Sequence, residues 1–138
     1  MRHLLILCTW SALLLACSSA TPEEQAAQAA KEYYDLLLED NTVDFMAGKA
    51  GIESMPGEYC EELLAATKRY VSDINRRHNG LREVRISPNV GRLDSLPGKS
   101  GQPTEVFTHA FLLLCYSDST QEEITVPMVK RDGQWLMR

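Results

Sequence analysis

The chain has 138 residues, 44% of them hydrophobic, with 14 Lys and Arg set against 19 Asp and Glu for a formal net charge of −5. That length holds one domain around one modest core, and the acidic balance argues against nucleic acid as a partner. Four cysteines without a CxxC pair or a His-x-x-x-His spacing argue against a metal site, and no motif calls for a cofactor.

Arg2 and His3 precede an apolar run from Leu4 to Leu15, followed by Ala16 and Cys17. A basic start, an apolar run too short to span a bilayer and a small residue before Cys match a secretory signal peptide ending in a bacterial lipobox. Residues 1–16 are expected to be removed and Cys17 to carry lipid. Residues 17–20 then serve as a tether, and 21–138 form the folded domain. The expected location is the bacterial cell envelope, periplasm-facing or at the outer membrane. Cys8 leaves with the signal, and two readings of Cys60 and Cys115 stay open: a disulfide, or two buried thiols.

Thr21 as N-cap, Pro22 and Glu24 then open a first helix that runs to about Asp40. Ala26, Ala30, Tyr33 and Leu37 form its apolar stripe. A short helix follows over Val43 to Ala47, and a third runs from about Glu58 to His78, where Asn79-Gly80 provides a left-handed stop. Charge is uneven: residues 17–62 carry 11 acids and two bases, while 63–92 carry seven bases and two acids. The basic run reads as a solvated helix face.

After Gly80 the apolar period changes to two. Arg82 to Ile86 is a strand whose end Pro88 limits. Leu96 to Pro103 is a loop of turn residues. Thr104 to Ser117 is the strongest strand, Glu122 to Lys130 follows, and Asp132-Gly133 turns the chain into Trp135 to Arg138. The expected fold class is α+β, three N-terminal helices packed on one face of an antiparallel sheet of about four strands.

Ala30-Lys31-Glu32-Tyr33-Tyr34-Asp35-Leu36, Met55-Pro56-Gly57-Glu58-Tyr59 and Val126 to Trp135, in this order of elements, resemble the nuclear-transport-factor-2-like (cystatin-like) superfamily and its small bacterial lipoproteins of unknown function. The resemblance spans nearly all of the chain after the signal. It implies a sheet curled round the helices into a cone with an apolar cavity. Some members of that superfamily are isomerases, dehydratases or hydrolases, and others only bind, so fold alone does not choose.

If the aromatic-rich row of the long strand faces the helices, Phe107, His109, Phe111 and Leu113 line that cavity with Tyr33, Leu37, Tyr70 and Trp135. His109 is then a weak candidate for a general base, and a core histidine is the favoured reading. The function expected is a lipid-anchored domain that binds a small apolar ligand or an envelope protein without catalysis. The alternative is an isomerase, dehydratase or hydrolase using His109. The opposite row, Thr108, Ala110, Leu112, Leu114 and Tyr116, is expected to face outward and to need a cover, either a second copy in a homodimer or the curl of the sheet or the loop from Leu96 to Pro103 within one chain.

Overall fold

The structure is a computed structural model that describes residues 20–98, 100–101 and 104–138. The expected signal peptide, Cys17 and most of the tether lie outside the described residues. The chain forms α1 (Pro22–Leu38), α2 (Thr42–Ala47), a single 3-10 turn (Ile52–Ser54), α3 (Gly57–His78), β1 (Leu81–Ile86), β2 (Asp94–Leu96), β3 (Glu105–Tyr116), β4 (Gln121–Arg131) and β5 (Gln134–Met137). It is α+β, with three helices on a curled antiparallel sheet. The ladder runs β1-β3-β4-β5, and β2 extends the β1 side by pairing with the first residues of β3.

Local chemistry sets the helix ends. Thr21 accepts from the Glu24 amide at 3.2 Å while the Glu24 carboxylate accepts from the Thr21 amide at 3.2 Å, closing the expected capping box. At the far end of α3, Asn79 and Gly80 take φ of 59° and 105°, and Arg76, Arg77 and His78 crowd the last turn, where positive charge suits the helix dipole. Pro127 sits inside β4 at no cost to the ladder. Its carbonyl accepts from Arg138 beyond the end of β5, so its missing N–H faces the side where pairing stops.

The faces of β3 are the reverse of the expectation. Thr108, Ala110, Leu112, Leu114 and Tyr116 are buried under the helices, while Phe107, Phe111 and Leu113 are half-buried and His109 exposed on the outer face. Neighbouring strands explain the choice. The inward row pairs with Val84, Ile124, Val126 and Met128, with Glu122 its one acid, held by Tyr116. The outward row meets Arg85, Glu123, Thr125 and Pro127, with Val129 its one buried aliphatic neighbour. Only one arrangement buries apolar side chains on all three strands.

The same alternation decides the cysteines. Cys60 and Cys115 are free thiols, which overturns the disulfide reading. Cys115 belongs to the outward row, between Glu83 and Gln121, while Cys60 sits on α3 across the sheet and points at the carbonyls of Ile52 and Met55.

Candidate functional site

The eight residues expected to share a cavity divide between the two sides of the sheet. Tyr33, Leu37, Tyr70 and Trp135 lie on the helix side; Phe107, His109, Phe111 and Leu113 lie on the other. Tyr33 acts as a strap: its hydroxyl donates to the Trp135 carbonyl at 2.7 Å, and its ring lies so close to Gly48 that a Cβ there would come within 2.5 Å. Trp135 is buried, and its indole N–H has no acceptor among the described residues. His109 borders a pocket of about 90 Å³ between the first turn of α1 and the edge of the sheet, outside the cone.

Two features occupy the helix side. One is a cleft of about 190 Å³ lined by Leu37, Leu38, Asp40, Val71, Ile74, Asn75 and Leu81, where α1 and α3 diverge above β1. The other is a group of phenols. The Tyr116 hydroxyl donates to Glu122 at 2.7 Å, and burial followed by that carboxylate pushes the phenol pKa up. Burial also raises Tyr34, to about 12, with Tyr70 adding to it, and raises Tyr70, which feels Glu122. All three phenols therefore stay protonated at neutral pH and do not serve as bases. Of these residues only Tyr70 is a candidate from sequence; from α3 it stands near Tyr34 of α1 on one side and near Tyr116 and Glu122 of β3 and β4 on the other, and no spacing announces that.

His78 is marked by the sequence only as the end of a helix. Its ring stacks on Tyr116 with centroids 4.0 Å apart and planes 5° from parallel, and its Nδ1 lies 2.8 Å from the Asp118 carboxylate. Thr120 donates to the same carboxylate, and its hydroxyl lies 3.4 Å from Nδ1 rather than beside Nε2. A nucleophile activated by this imidazole would stand at Nε2, so the trio is a clasp, not a catalytic triad. Main-chain bonds from Asp118 to the His78 carbonyl and from Ser117 to that of Gly80 complete it, fastening α3 to the β3–β4 turn.

The Thr120 hydroxyl first, then His78, hold the Asp118 carboxyl well below its ordinary 3.8, at about 2. A carboxylate with a lowered folded-state pKa adds stability above its unfolded pKa and loses it as pH falls through the folded one. Asp118→Asn should therefore lower the melting temperature at about pH 6, and the gap to wild type should close between about pH 4 and pH 2. A gap as wide at the acid end as at neutrality would show that the clasp contributes nothing through this charge.

No family model and no curated protein matches the chain. A solved structure from Campylobacter jejuni, a protein provisionally named an NTF2-like transpeptidase, matches with a TM-score of 0.56 at 15% identity, covering 80% of this chain and 94% of that one. The likeness is one of fold: the chain has the NTF2-like fold, the architecture expected from the order of its elements. That fold is compatible with ligand binding and with enzymatic roles.

Proposed function

We propose that this is a lipid-anchored domain of the bacterial cell envelope that binds a partner protein through the outer face of its sheet and performs no chemistry of its own. The observation that carries the reading is the row Phe107, Phe111 and Leu113, which with Leu136 is left half-buried although the helices already cover the other face. A second copy of this chain fits that row. One end carries Arg131 with Glu105, and Arg138 over the Phe107 ring at 5.0 Å; the other carries Glu83 with Arg85, and Glu123. A two-fold axis near Phe111 sets the arginine-rich end against the glutamate-rich one. The homodimer expectation thus moves to the row opposite the one that the sequence suggests.

A small ligand is the weaker half of the binding reading, because the 190 Å³ cleft is below the roughly 300 Å³ at which ligand sites begin. The larger depressions, about 530 Å³ beside Tyr70 and Arg69 and about 510 Å³ beside Ala20 and Ile86, lie open to solvent rather than enclosing a ligand. The catalytic alternative asks for an imidazole facing a roomy cavity, and His109 borders only 90 Å³. Transpeptidase chemistry, the activity in the name of the Campylobacter protein, needs a nucleophile beside a base. The sulfur contacts of Cys60 and Cys115 are carbonyl and amide oxygens, which favours binding over catalysis.

Native mass spectrometry of the detergent-extracted protein tests the surface. Wild type should appear as a dimer or with a bound protein, and Leu113→Glu as a monomer, with folding stability changed by less than about 1 kcal/mol because the position is not core. A wild type that is monomeric, unaccompanied and indifferent to Leu113→Glu would end the proposal.

A further inference from the structure

We propose that the sheet edge formed by β1, residues 87–93 and β2 rests on the lipid bilayer, in the interfacial layer, when the protein is anchored. The inference rests on acylation of Cys17. Among the described residues eight large hydrophobic side chains are exposed, and four of them fall within one stretch of eleven residues: Ile86 at 40%, Val90 at 72%, Leu93 at 36% and Leu96 at 57%. All four belong to the same edge, because β1 and β2 share one side of β3 while β4 and β5 extend the other. Scattered single hydrophobics need no explanation; four along one edge do.

The path of the chain identifies the occupant. Ile86 shares a shallow recess with Ala20, Glu24 and Gln28, and Val90 shares the small pocket with Glu23 and Glu24, so the tether enters the fold at this edge. From Cys17 to Ala20 is three residues, at most about 10 Å of extended chain. With lipid on Cys17 at headgroup level, the edge cannot stand far from the bilayer.

The local chemistry suits an interface. Ser87 and Asn89 turn across the outer face of the sheet, both donating to Glu123, which leaves Val90 at the tip of the connection, 72% exposed. Arg92, with a side chain 90% exposed and held only by a 3.9 Å contact to Asp94, lies on the same edge and can meet a phosphate. The unpaired N–H and C=O groups of an edge strand forbid deeper entry, because the hydrocarbon layer offers them no partner. Side chains enter the headgroup region while the backbone stays wet.

Tryptophan fluorescence of the intact, acylated protein in phosphatidylethanolamine–phosphatidylglycerol vesicles tests this. Cleavage before Cys17 removes Trp10, leaving Trp135, which is buried. Val90→Trp should lose about half of its added emission when the acyl chains are brominated near the headgroups, given an interfacial depth of roughly 5–10 Å. Gln134→Trp, on the exposed β5 edge three strands away, should lose almost none. Quenching in the Val90→Trp protein no greater than in the Gln134→Trp protein overturns the proposal. So does added emission from Val90→Trp that is blue-shifted but unquenched, which would place protein rather than lipid on the edge. Absence of the acyl mass from Cys17 overturns the anchor itself and the proposal with it, a failure read in the mass spectrum independently of the fluorescence.

Discussion

Leu112→Ala should destabilise the domain by roughly 3 kcal/mol, and Leu113→Ala, one residue along, by less than about 1. Leu112 is 0% exposed, stands between Ile86 and Ile124 in the ladder and belongs to the core built from Ala26, Ala30 and Leu37 of α1. The two alanines let α1 lie close on β3, so a cavity left by the missing isobutyl group has little room to collapse. Leu113 loses only contacts that its outward row shares with solvent. Against a total stability of about 5–15 kcal/mol, the first change is large and the second marginal. Urea unfolding of both variants gives the comparison directly. Equal losses, or the reverse order, would mean that the other row faces the helices. Leu112→Glu should abolish folding, because the carboxylate would be buried without a partner.

That reversal shows where legibility stops. Features written in neighbouring residues are readable. The Thr21–Glu24 box, the Asn79-Gly80 stop and the Asp132-Gly133 turn, with φ of 50° and 76°, each need only a few residues and stand where they are expected. The face of β3 is not readable from β3, because both of its rows are apolar. It is written in the alternation of β1 and β4, once the hairpin register is used to align them. β2 has no pattern of its own. Three residues, Asp94 to Leu96, become a strand because β3 is longer than β1 and leaves its first residues unpaired. The Tyr34, Tyr70, Tyr116 and Glu122 group and the His78–Asp118 clasp join positions up to 88 residues apart, beyond the reach of any local rule.

Gly91→Ala should cost about 2–4 kcal/mol, although the residue lies in a connection with no regular structure. A Cβ at this position would come within 1.9 Å of the His109 carbonyl oxygen and 2.8 Å of the Thr108 hydroxyl. The carbonyl belongs to the central strand, held between neighbours, and cannot yield. The connection must lift instead. Lifting takes with it the Arg92 carbonyl, to which the buried Thr108 hydroxyl donates at 2.8 Å, and an orphaned buried donor adds its own penalty. Gly57→Ala is the control, since a Cβ at the start of α3 meets nothing within 4 Å and a helix accepts alanine better than glycine. It should leave stability unchanged or raise it by about 0.5 kcal/mol. Hydrogen exchange at Val90 to Leu93 should quicken in the first variant and not in the second. A Gly91→Ala protein as stable as wild type would mean that residues 87–93 do not lie on β3. The absent side chain thus fixes the connection that presents Val90 and Leu93: only a residue without a Cβ lets that edge press against the central strand while its apolar side chains point away from the core.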